Sequence, residues 1–254
     1  MRRLRWIALT LALCLAVAAA VYVNDGYHAG EAAIESLNGD RGVRVSRVDG
    51  VWRFLGERPR AALVFYPGGK VDAEAYVPLL SELSRMGLDC YMPEMPLRLA
   101  VLKRDAAAGI MAANPRPRWY VGGHSLGGAA ASMYAAAHPE GLDGLVLLAA
   151  YPAGPLPEGL KTLILRGSRD GVLNIENYEK SRALWPRDAI EVVIEGGNHA
   201  GFGDYGPQRG DLAPEISPQA QRAQAAQAIA AFCGLKKASG DGETGDESIG
   251  PAGM

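Results

Sequence analysis

Trp119-Tyr120-Val121-Gly122-Gly123-His124-Ser125-Leu126-Gly127-Gly128-Ala129-Ala130-Ala131 runs from an apolar stretch of strand character, through a glycine-bracketed serine, into an alanine-rich helix. G-x-S-x-G spacing alone is permissive; the strand, sharp turn and helix around it make it informative. A serine at such a turn is held in a strained backbone conformation. Gly123 and Gly127 then keep side chains out of the space where helix and strand approach. The hydroxyl of Ser125 is expected at the carboxyl end of a sheet, beside a helix start whose dipole favours developing negative charge. A turn that merely linked strand to helix would not ask for two glycines on each side of His124-Ser125-Leu126.

A serine hydroxyl is a poor nucleophile at neutral pH and needs a base to take its proton. The chain offers four histidines. His28 lies next to the apolar N-terminal run. His124 directly precedes the serine and should point away from it, and His138 sits at the far end of the helix that Ser125 begins. His199 remains, in the loop Glu195-Gly196-Gly197-Asn198-His199-Ala200-Gly201 after the late apolar run Val192-Val193-Ile194.

The imidazole in turn needs a carboxylate to hold its tautomer and stabilise its positive charge. Asp170 suits that role, because Thr162-Leu163-Ile164-Leu165-Arg166-Gly167-Ser168-Arg169-Asp170-Gly171 reads as a strand ending in an acidic turn. Asp204 and Glu195 are weaker competitors, both too near His199 in sequence to need the intervening strand. Acyl-transfer chemistry also requires backbone donors for the tetrahedral oxyanion. Leu126 is expected to supply one amide. The loop Tyr66-Pro67-Gly68-Gly69-Lys70 supplies the other, from Gly69 with Lys70 as the alternative. That loop lacks the glycine spacing and the following Ser or Thr of a phosphate-binding loop.

Outward from this core, short apolar runs at 61–66, 88–92, 119–122, 144–149, 162–166 and 190–194 alternate with helical stretches at 72–86, 97–113, 126–137, 175–184 and 218–232. Such alternation implies a mostly parallel sheet with helices on both faces. Asp49-Gly50, between two runs of branched and aromatic residues, reads as the turn of an edge hairpin over 43–54. Four segments follow: 1–23 as a targeting or anchoring segment, 24–42 as a connector expected to be helical from Asn24 to Asn38, 43–234 as the catalytic domain, and 235–254 as a disordered polar tail with nothing to bury.

Pro67-Gly68-Gly69, Gly123-His124-Ser125-Leu126-Gly127-Gly128, Asp170 and Gly197-Asn198-His199, in the chain order Ser, Asp, His, resemble the α/β-hydrolase superfamily. The resemblance covers about 43–234. It is nearest to the short, lidless branch of dienelactone hydrolase-like proteins and small carboxylesterases. It implies the α/β-hydrolase fold and a carboxylesterase-like serine hydrolase working through an acyl-enzyme. Dienelactone hydrolases commonly use cysteine where this chain has Ser125, so their substrate does not carry over. Pro67 stands where many relatives have the histidine of a histidine-glycine pair. Only about a dozen residues separate the runs at 144–149 and 162–166, which leaves no room for a lid domain and implies an open site.

The rest of the sequence bounds the setting. Arg2, Arg3 and Arg5 precede an uncharged run from Trp6 to Val23, which would rise about 27 Å as a helix, against about 30 Å for a bilayer core. An uncleaved anchor or a cleaved signal is expected, with the arginines inside and the domain exported, either membrane-anchored or secreted or periplasmic. The net charge of -2 offers no electrostatic case for nucleic acid. The chemistry calls for a small-molecule acyl substrate and for no metal or organic cofactor. Cys90 and Cys233 read as buried free thiols, with a disulfide as the alternative. Tyr151, Phe202 and Tyr205 are candidates to line the pocket. Two other functions share these features: an acyltransferase using the same triad, and a non-catalytic binding protein held at the membrane.

Overall fold

The computed structural model describes residues 25–37 and 42–235, with scattered positions among the first 24. About half of the basic and apolar run at 1–23 lies outside the described residues, as does the whole tail from 236 onward. Among the described residues no helix is long and apolar enough to cross a membrane.

Strands β1 (Val43–Val48) and β2 (Val51–Gly56) form the expected antiparallel hairpin. Asp49 and Gly50 both take positive φ, 52° and 69°. Two such residues make the mirror-image turn whose twist matches that of the flanking strands. The remaining strands are β3 (Ala61–Tyr66), β4 (Leu88–Pro93), β5 (Trp119–His124), β6 (Gly144–Leu148), β7 (Thr162–Gly167) and β8 (Ile190–Ile194). All eight join one sheet in the order β1-β2-β4-β3-β5-β6-β7-β8. β2 runs antiparallel to β4, and every pairing from β4 across to β8 is parallel.

The helices are α1 (Glu31–Ser36), α2 (Val77–Arg85), α3 (Ala106–Ala113), α4 (Leu126–Ala137), α5 (Ile175–Ser181) and α6 (Pro218–Phe232). Alternate residues of the central strands face two separate cores. Leu63 and Phe65 of β3 pack with Leu79 and Leu83 of α2 and Ile229 of α6. Ala62, Val64 and Tyr66 meet Ile110 of α3, Ala131 of α4 and Tyr178 of α5 on the other face. Burial on both faces explains why β3, β5 and β6 read as runs without alternating polar residues. Local chemistry sets several helix starts: the Ser217 side chain accepts from the Ala220 amide with Pro218 in the first turn, and Asn174 caps α5 through the Asn177 amide.

Two expected helices depart furthest from their sequence patterns. The stretch 97–113 is helical only over Ala106–Ala113, after two 3-10 turns, and Leu97 and Arg98 both have positive φ. Arg98 is drawn into tertiary bonds that a helix could not make: its carbonyl accepts from the Lys70 amide at 3.0 Å and its guanidinium pairs with Asp72 at 2.8 Å. Among the described residues of the 24–42 segment, helix is confined to Glu31–Ser36. Before it, Tyr27 bridges Val71 in parallel, donating its amide to the Lys70 carbonyl and accepting from the Asp72 amide. Residues 149–161, between β6 and β7, contain no helix, and among the described residues no large lid covers the sheet edge.

Candidate active site

Ser125 stands between β5 and α4 with φ 52° and ψ −124°. A non-glycine residue there costs on the order of 1–3 kcal/mol, so its neighbours must hold it in place. Its amide donates to the Leu148 carbonyl at 2.9 Å, and its carbonyl accepts from the Ala129 amide. The bracketing glycines are steric necessities. A Cβ on Gly127 would lie 2.1 Å from the Tyr66 carbonyl oxygen and 2.4 Å from that of Pro67. One on Gly123 would lie 2.6 Å from the Gly127 carbonyl carbon. The turn therefore presses α4 onto the end of β3, and Ser125 itself stays half-buried.

Asp170 and His199, 29 positions apart, meet over the ends of β7 and β8. His199 Nδ1 lies 2.9 Å from Asp170 Oδ2 and 3.0 Å from Oδ1, and both side chains are 2% exposed. Asp170 Oδ1 also accepts from the Val172 and Leu173 amides, at 3.0 and 2.8 Å. With the carboxylate on Nδ1, that nitrogen carries the ring proton and Nε2 presents a bare lone pair. Nε2 is buried with no hydrogen-bond partner among the described residues. No hydrogen bond links it to the Ser125 hydroxyl; such bonds are often long before substrate binds.

The loop after β3 separates its amides by use. The Gly68 amide donates to Tyr76 Oη at 3.0 Å, and the Lys70 amide donates to the Arg98 carbonyl at 3.0 Å. Among the described residues the amides of Gly69 and Leu126 have no such partner. The two positions touch: a Cβ on Gly69 would lie 3.0 Å from Leu126 Cδ2 and 3.4 Å from its Cβ. Two N–H groups without such a partner, on chain segments in contact and one of them at the first turn of α4, are the candidate donors to an oxyanion. Of the two loop candidates, Gly69 keeps its amide available.

His28 pairs with Asp72 at 3.0 Å, and His138 caps the far end of α4 against Tyr134. His124 does turn away from Ser125, into the interior, where its Nε2 lies 3.1 Å from the His199 carbonyl. Burial and the neighbouring His199 hold the His124 imidazole well below the usual histidine range. Glu195 is exposed, and Asp204 pairs with Arg222 while accepting from the Ala33 amide. Phe202 and Tyr205 belong to the core, at 0% and 7% exposure, and so are packing residues; Tyr151 is half-buried. Cys90 and Cys233 are buried free thiols.

Sequence reasoning missed two side chains that hold the site. Asp211 spans the two loops, with Oδ1 accepting from the Gly171 amide and Oδ2 from the Ala200 amide, each at 2.9 Å. Gln221 of α6, fully buried, accepts from the Asn198 amide and donates to the Asn198 carbonyl, at 2.9 and 2.7 Å. Gln221 left a signal, since it shares an inward row with Ala225 and Ile229 at four-residue spacing. Asp211 left none beyond an acidic turn.

A family profile described as the alpha/beta hydrolase family matches residues 62–223, more than half of the chain. No curated protein matches it. Among solved structures, the dienelactone hydrolase of Anabaena variabilis is similar with a TM-score of 0.57 at 16% identity, over 74% of this chain and 98% of that one. An esterase from Thermogutta terrifontis gives 0.51 at 17% identity, over 79% and 96%. A predicted hydrolase from Thermoplasma acidophilum gives 0.55 at 16%, over 74% and 97%. At these identities the likeness is one of fold, and it agrees with the strand order and the absence of a large lid. The chain belongs to the alpha/beta hydrolase family.

Proposed function

We propose that this hydrolase cleaves a carboxylic ester, with thioesters and amides as further candidates, through an acyl-enzyme formed on Ser125. His199 takes the serine proton through Nε2 and returns it to the leaving group. Asp170 orients the ring and stabilises its charge, and the amides of Gly69 and Leu126 receive the oxyanion. Water then attacks the acyl-enzyme with His199 again as base. The observation that carries the reading is the buried Asp170–His199 pair, whose Nε2 is left without a partner. An unpartnered buried polar atom is costly, and a serine–substrate complex supplies what it lacks.

The test is labelling by a fluorescent fluorophosphonate, with Ser125→Ala and heat-denatured protein as controls. Labelling of native wild type alone supports the reading, and folded wild type that stays unlabelled overturns it. Product analysis with alcohol or amine acceptors distinguishes hydrolysis from acyl transfer.

The proposal extends to location. Arg2, Arg3 and Arg5 ahead of the apolar run Trp6 to Val23 favour export of the domain, anchored or cleaved. Cell fractionation together with the size of the mature chain tests this, and a full-length cytoplasmic protein refutes it.

A further inference from the structure

Four groups from four separated stretches form one buried hydrogen-bonded chain. The Gly68 amide, in the loop after β3, donates to Tyr76 Oη at 3.0 Å. Tyr76, in the 3-10 turn before α2, lies 2.8 Å from His124 Nδ1. His124, the last residue of β5, reaches the carbonyl of His199 through Nε2 at 3.1 Å. Tyr76 and His124 are 0% and 1% exposed, so water cannot readily take over either bond.

We propose that Tyr76 and His124 are positioning residues that lock the oxyanion loop to the loop bearing His199, so that nucleophile, base and oxyanion donors keep one mutual geometry. The inference rests on the assignment of Ser125, His199 and Asp170 made above.

With His124 neutral, the proton arrangement has a single solution. An amide at one end can only donate, and a carbonyl at the other can only accept. His124 Nε2 must therefore carry the hydrogen, Nδ1 must be bare, and the Tyr76 hydroxyl must donate to Nδ1 while accepting from Gly68. Every group is then satisfied with His124 neutral. A protonated His124 would make the tyrosine oxygen accept from both Nδ1–H and the Gly68 amide, leaving its own buried O–H without an acceptor, and would put a cation beside the imidazolium that His199 becomes, with ring centroids 4.8 Å apart.

The chain also accounts for two features of the loop. A Cβ on Gly68 would lie 2.8 Å from Tyr76 Oη and 2.9 Å from His124 Nδ1, so glycine is what lets the chain close. Engaging the Gly68 amide leaves the next one, Gly69, for the oxyanion. A histidine before the serine thus has work to do although it cannot reach the reacting atoms.

The experiment compares kcat, KM and fluorophosphonate labelling rate for wild type, Tyr76→Phe and His124→Asn. Leu83→Val, a core change away from the chain, serves as control. Tyr76→Phe keeps the ring and leaves the Gly68 amide and His124 Nδ1 unpaired. The expected result is a fall of about tenfold or more in kcat and labelling rate with KM little changed, while Leu83→Val loses stability and keeps kcat per folded molecule. Folded Tyr76→Phe and His124→Asn with kcat near wild type overturn the inference.

Should both variants fail to fold, histidine-selective nitrogen NMR of the wild type at neutral pH still decides. The neutral Nε2–H tautomer of His124 is expected, and the Nδ1–H tautomer or an imidazolium overturns the chain. Failure of the underlying assignment looks different, because Ser125→Ala would then label or turn over like wild type.

Discussion

Replacing Asp170 by asparagine separates the electrostatic part of the site from its architecture. Oδ1 accepts from the Val172 and Leu173 amides at 3.0 and 2.8 Å, so an asparagine must place its carbonyl oxygen there. The reverse orientation would set its NH2 against two N–H donors. The amide nitrogen then takes the Oδ2 position, 2.9 Å from His199 Nδ1, and donates to it. Nδ1 also lies 3.0 Å from the Oδ1 position, but the NH2 on its nearer side favours the tautomer with the His199 proton on Nε2, where it can no longer accept one from Ser125. Loss of the base and of the charge that stabilises the imidazolium lowers kcat by about 10⁴-fold, or about 5.5 kcal/mol of barrier at 1.36 per decade. The turn and the ring contact survive, so unfolding free energy should stay within about 1 kcal/mol of wild type. Steady-state hydrolysis of p-nitrophenyl acetate and urea melts of the same samples measure both quantities. A folded Asp170→Asn protein with kcat within about tenfold of wild type would refute the assigned role.

Gly127→Ala drives a Cβ into the Tyr66 and Pro67 carbonyls, at 2.1 and 2.4 Å. The strand end must shift, costing about 1–3 kcal/mol in urea unfolding and roughly 10² in kcat through the displaced loop after β3, the proposed source of an oxyanion donor; wild-type kcat would argue against that packing. Gln221→Ala leaves the buried amide and carbonyl of Asn198 unpaired, so about 2 kcal/mol or more of stability should go, with kcat falling as the His199 loop loosens. An unchanged melt and rate would show that Gln221 only fills space. Burial pushes the Cys90 thiol well up and that of Cys233 to about 12. In a Cys14→Ser protein neither thiol should react with Ellman's reagent at neutral pH until denaturant is added, and rapid reaction of the native protein would contradict the burial.

Local pattern carried much of this protein's reading. The glycines around Ser125 answer clashes within a few residues of chain, and the apolar runs of β3, β5 and β6 report burial on both faces wherever neighbouring strands lie. The order of strands and helices, the turn at Asp49-Gly50 and the absence of a lid followed from such one-dimensional signals. The stretch 97–113 misled because its apolar spacing is helical while Arg98 is held by Lys70 and Asp72 from another loop.

Histidine elimination and the acidic end of β7 pointed to His199 and Asp170 from sequence, because few residues of the right chemistry were available, and the fold brings the two side chains within 2.9 Å. Which loop amide stays free was decided only by the fold. The Lys70 amide is taken by Arg98 and that of Gly68 by Tyr76, leaving Gly69. Asp211 joins residues 40 and 11 positions away, and Tyr76 meets His124 across 48. A hydrogen bond depends on distances of a few tenths of an ångström. For groups so far apart along the chain, those distances are set by strand register and helix packing, which exist only in the assembled sheet.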